Sequence, residues 1–142
     1  MTIARLLASR DGGVISVSPS TLVSEAVALL SGRRIGAVPV LDGDRVVGIM
    51  SERDIIYHLC SDGAQILDWP VERVMTSPVH TVEPETSFIG ALAMMTQRRV
   101  RHLPVVERGR MVGLVSIGDL VKARIDNIES EAQAMREYIQ SA

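Results

Sequence analysis

The sequence predicts an α+β fold built from two copies of one half-domain, because a duplication spans most of its 142 residues and each copy alternates strand and helix patterns. Residues 14–55 and 79–120 align without a gap at a constant offset of 65 (79 minus 14). Identical residues occur at positions 19 and 84, 21 and 86, 33–34 and 98–99, 39–40 and 104–105, 47–48 and 112–113, 51 and 116, and 54 and 119. Neither copy is long enough to bury a full core alone, so we expect the two to pair about a pseudo-two-fold axis and leave clefts between them.

The duplication also predicts the domain organisation. We expect residues 1–142 to form one module, with a first repeat at 8–62, a second at 71–125 and a C-terminal helical extension at 120–142. The composition is 46% hydrophobic but only 3% aromatic. The core should therefore consist of Val, Ile, Leu, Ala and Met.

Each copy follows the predicted order β-α-β-β-α. In the first copy, Val23, Ala26 and Leu30 recur at helical spacing, and the Asp-Gly-Asp sequence at 42–44 is typical of a hairpin turn. The predicted elements are a short strand at 14–17, a helix capped by Thr21, strands at 35–41 and 45–50, and a helix from Ser51 to about Cys60. The second copy repeats this order.

Helical patterns also lie outside the two copies. Short helices are predicted at 3–7 and 71–75, each leading into one copy. After Asp119 a longer helix is predicted, in which apolar residues alternate four and three positions apart: Val121, Ile125, Ile128, Ala132, Met135 and Ile139. Because copy one has no counterpart of this extension, we expect it to contribute to a homodimer, with packing on its own module as the alternative.

Composition and motif spacing argue against several functional classes. No apolar run reaches the length of a membrane span, and the apolar stretch at 1–7 is too short for a signal peptide, so we expect a soluble cytoplasmic protein without membrane contact. The single cysteine fits a reducing compartment, and a net charge of −2 gives no basis for nucleic-acid binding. The three histidines lack neighbours at metal-ligand spacing, and no catalytic triad or glycine-rich phosphate loop can be assembled. We therefore expect neither a metal site nor an enzyme.

The chemically richest motif is Ser-x-x-Asp directly after a predicted strand, present as Ser51 with Asp54 and as Ser116 with Asp119. One interpretation is a helix-capping box, which contributes roughly 1 kcal/mol and needs no ligand. The other interpretation uses the same geometry for a ligand, because a helix N-terminus favours phosphate and a carboxylate can accept both hydroxyls of a ribose. The motif alone leaves both interpretations open.

The Arg-Arg pair, the hydrophobic-Pro-Val strand and the Val-Gly-hydrophobic-x-Ser-x-x-Asp segment together resemble the CBS domain, named for cystathionine β-synthase. Two such segments in tandem resemble a CBS pair, or Bateman module, and the resemblance covers residues 14 to about 125. It implies a non-enzymatic regulatory module that binds an adenosyl compound in clefts between the repeats and acts on a protein target. AMP is the ligand we expect first, with ADP, ATP, NAD or S-adenosylmethionine as alternatives.

The same resemblance implies roles for individual residues. Asp54 and Asp119 are expected to hold the ribose, Ser51 and Ser116 to lie near phosphate, and the adenine to lie beside the hydrophobic-Pro strands. The complete expected nucleotide-binding set is Ala37, Val38, Pro39, Ser51, Arg53, Asp54, Arg101, His102, Leu103, Pro104, Ser116 and Asp119. The alternative function is a ligand-free interaction module whose Ser-x-x-Asp motifs only cap helices.

The copies differ just before their shared proline, where residues 35–38 read Ile-Gly-Ala-Val and residues 100–103 read Val-Arg-His-Leu. In the nucleotide-sensing γ subunit of AMP-activated protein kinase, equivalent positions can carry adjacent His and Arg residues that meet phosphates, and the pair here is similar in chemistry but reversed in order. We therefore expect Arg101 and His102 to furnish one cleft for phosphate, while the other cleft is smoother and smaller. The alternative is that both are solvated residues at a strand end.

Overall fold

The computed structural model describes residues 1–10 and 13–141 and contains two repeats of the same order, followed by a long helix. The helices and strands are α1 (Ile3–Ala8), α2 (Val23–Arg33), β1 (Ala37–Asp42), β2 (Arg45–Ser51), α3 (Glu52–Asp62), α4 (Phe88–Arg98), β3 (His102–Glu107), β4 (Arg110–Ser116) and α5 (Ile117–Ser141). Two 3-10 helices, Gly63–Asp68 and Val71–Arg73, lie between the repeats. The predicted α+β class, with an N-terminal and a long C-terminal helix, is confirmed; residues 11, 12 and 142 of the predicted segments lie outside the described residues.

Each repeat contains a two-stranded antiparallel sheet, β1 with β2 and β3 with β4, and the two sheets have the same register. Asp42 pairs with Arg45 and Glu107 with Arg110, so two residues form each turn. The first turn residue of copy one, Gly43, has a φ of 65°, a left-handed conformation that glycine adopts without a side-chain clash. The predicted hairpins are therefore confirmed.

The strand predicted at 14–17 is shorter than expected. Among the described residues of this segment, Val17 alone pairs with β1, in a parallel bridge to Val40, and the second copy makes an equivalent bridge. After Val17 the chain turns at once, because the Ser18 N–H donates to the Thr21 hydroxyl at 3.1 Å. This turn ends the pairing at Val17, and residues 14–16 before it form no bridge to β1.

The prediction that Thr21 caps α2 is wrong. The N-cap residue is Leu22, which makes no side-chain capping bond, and the Thr21 hydroxyl serves the preceding turn instead. In the second copy Ser87 does cap α4, because its hydroxyl accepts the N–H of Gly90 at 2.9 Å. The first helices of the two copies therefore begin differently, although their lengths are equal.

Each repeat has an apolar core that a segment from outside its hairpin and helices completes. The first core consists of Val23, Ala26, Leu30, Val38, Val40, Met50, Val71 and Val74. The second consists of Ile3, Val82, Phe88, Ala91, Met95, Leu103, Val105, Val115 and Leu120. Helix α1 thus precedes repeat one but packs on repeat two, where the Ile3 N–H donates to the Thr86 carbonyl at 2.9 Å. The segment predicted as a helix at 71–75 contains a 3-10 turn and packs on repeat one.

Glycines on β2 and β4 allow these completing segments to approach the sheets closely. A Cβ atom at Gly48 would lie 2.5 Å from Sδ of Met75, and a Cβ atom at Gly113 would lie 2.6 Å from Cδ2 of Leu7. Any larger residue would push the segment away from the strand. Leu7 and Met75 therefore occupy equivalent places on the two hairpins.

The two hairpins are tied together at their turns. Arg110 donates to the Asp44 carboxylate, with Nη2 at 2.5 Å and Nε at 3.1 Å from Oδ2. The Met111 N–H also donates to the Asp44 carbonyl, at 3.0 Å. These bonds link the turn of the first hairpin to β4, and β2 and β4 lie in contact.

Helix α5 is continuous over 25 residues, a length of about 37 Å at 1.5 Å per residue. Its first two turns contact the core of repeat two, through the fully buried Leu120 and the partly buried Ala123. The predicted apolar seam is exposed, with 44% to 66% of the surface accessible at Val121, Ile125, Ile128, Met135 and Ile139. The alternative that this seam packs on its own module is therefore wrong.

We expect Ile3→Ala to lower the free energy of unfolding by about 2 to 5 kcal/mol, because it leaves a cavity in the core of repeat two. Urea denaturation measures the change. The matched control is Ile139→Ala on the exposed seam, which should change monomer stability by less than about 0.5 kcal/mol. Equal small effects of both substitutions would show that α1 does not belong to this core.

Candidate functional site

Two clefts lie between the repeats, and each combines the Ser-x-x-Asp motif of one copy with the leading segment of the other. The Asp54 cleft encloses about 570 Å³ and is lined by Ala37, Ile49, 51–54, Ile56, Tyr57, Thr76, 78–80 and 98–102. The Asp119 cleft encloses about 440 Å³ and is lined by Leu7, Arg10, 13–15, 34–37, His102, 112–114, Ser116 and Asp119. Ala37 and His102, which are equivalent at the offset of 65 (102 minus 37), line both clefts. The clefts therefore meet at the pseudo-two-fold axis.

The motif of repeat one forms a complete capping box at the start of α3. The Asp54 N–H donates to Ser51 Oγ at 3.4 Å, and the Ser51 N–H donates to Asp54 Oδ2 at 2.8 Å. The other carboxylate oxygen, Oδ1, accepts a bond from the Thr76 hydroxyl at 2.8 Å. The capping interpretation is thus confirmed for Asp54, and the geometry still presents its carboxylate to a cleft.

The motif of repeat two makes the same local bonds but has a different third partner. The Ser116 N–H donates to Asp119 Oδ2 at 2.8 Å, and the Asp119 N–H donates to Ser116 Oγ at 3.1 Å. Arg10 from the N-terminal segment places Nη2 at 2.6 Å from the same Oδ2. Burial by itself raises the pKa of the Asp119 carboxyl, but the bonds from Ser116 and the charge and bond of Arg10 outweigh it, so this pKa lies below its ordinary value.

Basic residues are concentrated in the Asp54 cleft. Its lining contains four arginines and two histidines, namely Arg53, Arg98, Arg99, Arg101, His80 and His102. The Asp119 cleft, as far as its described lining extends, contains Arg10, Arg34 and His102. Arg101 therefore lies with the aspartate of the opposite repeat, and the smaller cleft is the one without it. This arrangement agrees with the expectation of unequal clefts.

His102 stands where the charges of both clefts meet. Burial is the largest influence on its imidazole and lowers the pKa, and Arg101 lowers it further. Asp119 and Glu52 act in the opposite direction but are outweighed. The imidazole is therefore mainly neutral near pH 7, and an anion bound beside it would favour its protonation.

The hydrophobic-Pro strands lie behind the clefts. Val38 and Leu103 are fully buried in the two cores, and the Pro39 carbonyl accepts the N–H of Val17 at 3.1 Å. The described lining of both clefts does not include the predicted residues Val38, Pro39, Leu103 and Pro104. Their contact with an adenine therefore stays a prediction. Apolar surface comes instead from residues that the sequence did not single out, namely Ile49, Ile56, Tyr57, Pro78 and Val79 in the Asp54 cleft.

Two further features limit the chemistry within residues 1–10 and 13–141. No group of three or more His, Cys, Asp or Glu side chains is placed to hold a metal ion in that part of the chain. Likewise, no helix there combines the length and apolar character needed to cross a bilayer.

Two tandem β-α-β-β-α repeats that share a pair of clefts define a class of paired-repeat α+β modules. The family model described as the CBS domain matches residues 9–61 and 71–126, and this chain belongs to that family. Proteins that consist of a CBS pair are regulatory modules. The resemblance read from the sequence is therefore confirmed.

Comparisons with individual proteins agree with this assignment. A solved structure of a protein with CBS domains from Burkholderia ambifaria is 37% identical in sequence and superposes with a TM-score of 0.83. The match covers 89% of this chain and 95% of that protein's chain. The mitochondrial CBS domain-containing protein CBSX3 of Arabidopsis thaliana is 33% identical over 93% of this chain, which spans 66% of that relative's length. The structure of CBSX2 in complex with AMP is 25% identical, with a TM-score of 0.75 over 88% of this chain and 96% of its own.

The lowered pKa of Asp119 predicts a pH-dependent contribution to stability. The unfolded chain binds more protons than the folded chain just below the ordinary value of 3.8, so this contribution is complete above 3.8 and is lost as the pH falls through the folded pKa. The difference in unfolding free energy between the protein and Asp119→Asn should therefore shrink between about pH 5 and about pH 2. Urea denaturation across this range, with the exposed Asp126→Asn as control, measures it; a difference that grows on acidification would contradict the sign.

Proposed function

We propose that this protein is a non-enzymatic regulatory module that binds an adenine nucleotide, first of all AMP, in the Asp54 cleft. The observation that carries the proposal is the meeting of one helix-start carboxylate with four arginines in a cleft of about 570 Å³. Clefts of about 300 to 1,000 Å³ are typical of small-molecule sites. The AMP complex of the related CBSX2 supports the choice of ligand.

Each part of a nucleotide has a matching chemical partner in this cleft. The Asp54 carboxylate has about four lone-pair sites, and the Ser51 and Thr76 donors leave room for a ribose hydroxyl, with Thr76 free to rotate away. The start of α3 and the guanidinium of Arg101 provide donors and positive charge for phosphate. Apolar atoms of Ile49 and Val79 offer a surface for the adenine ring.

The number of cations bears on which nucleotide is preferred. Four arginines face two acidic residues, Glu52 and Asp54, in the described lining of the cleft. This excess of positive charge can pair with more than one phosphate, so ADP, ATP and NAD are the alternatives to AMP. A panel of AMP, ADP, ATP, NAD, NADH and S-adenosylmethionine, compared by calorimetry, ranks them.

The second candidate is a ligand-free interaction module. The observation that favours it is that both Ser-x-x-Asp motifs make their capping bonds without any ligand. A ligand that binds only the folded state raises the melting temperature in proportion to the logarithm of its concentration. If none of the six nucleotides does so at millimolar concentration, this second candidate replaces the first.

A homodimer is the partner that the exposed surfaces favour. Two apolar residues of α3 are exposed as well as the seam of α5: Ile56 and Tyr57 are 62% and 64% exposed. Exposed apolar residues that recur at heptad spacing are typical of helix pairing. We propose that a second copy of this chain covers α5, and that nucleotide binding changes either this contact or the affinity for a target protein.

We expect Asp54→Ala to weaken AMP binding by about 2 to 3 kcal/mol, roughly 30- to 150-fold, because charge-assisted bonds to the ribose hydroxyls are lost. Its unfolding free energy should fall by only about 1 kcal/mol, the contribution of a cap. Isothermal calorimetry and urea denaturation give the two numbers, with Asp126→Ala on α5 as a control for loss of one negative charge. A loss of stability with unchanged affinity would refute the ribose role.

Arg101→Ala should weaken AMP much more than adenosine, because only AMP supplies the anion with which the guanidinium pairs. The ratio of the two affinities is the informative quantity, since it cancels effects on the apolar part of the cleft. Arg33→Ala, which lies outside both clefts, is the matched control. Equal losses for AMP and adenosine would assign Arg101 a structural role.

Removal of the chain after Ile125 should give a folded protein with weaker self-association, because the deleted part of the seam makes no contribution to either core. Sedimentation should show a shift toward monomer at micromolar concentration, while stabilisation by nucleotide is retained. Loss of folding would mean that the tail supports its own module. An unchanged dimer would place the interface elsewhere, such as on α3.

A further inference from the structure

The two clefts differ in what holds the motif aspartate. In the Asp54 cleft Thr76 pairs with β2 through its backbone, exchanging bonds of 2.8 and 3.1 Å with Ile49, and its hydroxyl donates to Asp54 Oδ1 at 2.8 Å. One neutral residue thus joins the strand to the carboxylate.

In the Asp119 cleft the side chain of Arg10 makes both connections. Nη1 donates to the carbonyl of Leu114, the counterpart of Ile49 (114 minus 65), at 2.6 Å. Nη2 lies 2.6 Å from Asp119 Oδ2. Arg10 thus joins strand and carboxylate with a cation where Thr76 uses a neutral hydroxyl, but it contacts Oδ2, the oxygen that also accepts the Ser116 N–H, whereas Thr76 contacts Oδ1.

The two residues correspond in the bonds that they form and not in sequence position, because the offset of 65 pairs Arg10 with Met75 (75 minus 10). Thr76 directly follows Met75, which contacts Gly48, whereas Arg10 lies three residues after Leu7, which contacts Gly113, and beyond the end of α1 at Ala8. The two segments thus enter equivalent clefts from equivalent contacts. The difference between them is the residue presented to the carboxylate.

From this difference we infer that Arg10 is a specificity-determining residue, which occupies the ribose position of the Asp119 cleft and directs the first nucleotide to the Asp54 cleft. The inference rests on the proposed function. A diol that uses both oxygens of Asp119 must first displace the guanidinium from Oδ2, whereas at Asp54 the long-range bond that it displaces is the Thr76 hydroxyl on Oδ1.

The strength of the Arg10–Asp119 ion pair sets the size of the expected effect on affinity. The side chains of Arg10 and Asp119 are 34% and 39% exposed, and an ion pair at that exposure changes an equilibrium constant by up to about fivefold. The bond to the Leu114 carbonyl strengthens the closure, so removal of Arg10 should tighten the Asp119 cleft for a neutral nucleoside by about 5- to 30-fold.

Calorimetry with adenosine and AMP tests the inference. The protein should bind one equivalent of AMP, and Asp54→Ala should weaken that event as expected for the Asp54 cleft. Adding Arg10→Ala to Asp54→Ala should produce a tighter event with adenosine, and adding Asp119→Ala should remove it. Arg10→Gln provides a second variant without charge, and Arg5→Ala, on α1 outside both clefts, is the matched control.

Five outcomes overturn the inference. Two equal AMP sites in the unmodified protein would show that Arg10 closes nothing. Loss of AMP binding on Arg10→Ala, with adenosine unaffected, would make Arg10 a phosphate ligand. Unchanged adenosine binding, or the same gain with Arg5→Ala, would remove its specific role while leaving the proposed function intact. Absence of binding of any nucleotide to every variant would refute the proposed function and this inference together.

Discussion

The structure depends on one constraint: neither repeat has enough residues to complete its own core. Repeat two is completed by α1, through the fully buried Ile3, and repeat one by the segment that contains Val71 and Val74. The hydrophobic effect stabilises this arrangement, because each small half-domain would otherwise expose apolar surface to water. The close approach of Leu7 and Met75 to the strand glycines then brings these completing segments to the edge of each sheet. The packing that completes each core therefore also places the residues that line each cleft.

The clefts follow from that packing. The segment that leads into each repeat packs on the hairpin of the other repeat. It therefore places a side chain beside the aspartate at the start of the helix that follows that hairpin. Thr76 reaches Asp54 in this way, and Arg10 reaches Asp119. The carboxylates would cap their helices without these partners, since their bonds to serine are local. The long-range partner is what makes the two sites chemically different.

Much of the fold could be predicted from the sequence because its signals are local or periodic. The duplication, the glycine-containing turn after Asp42 and the Ser-x-x-Asp caps all express short-range geometry, and each is found at its predicted place. The Thr21 cap was wrong because its hydroxyl accepts the Ser18 N–H in a competing turn, and the strand at 14–17 was too long because only its last residue, Val17, pairs with β1. Arg10 carries no sequence signal, since its partner lies 109 positions away (119 minus 10).

The sequence by itself determined the two-fold repetition, the two hairpins with their flanking helices, and the identity of the aspartates, because these depend on patterns that recur at the offset of 65. Only the tertiary structure decided which repeat supplies which side of a cleft. It placed Arg101 with Asp54, and Arg10 with Asp119. The physical reason is that the packing of one half against the other depends on the complementary surfaces of both halves. Local propensity depends only on residues that are close in sequence, so it carries no information about a side chain that approaches from elsewhere in the chain.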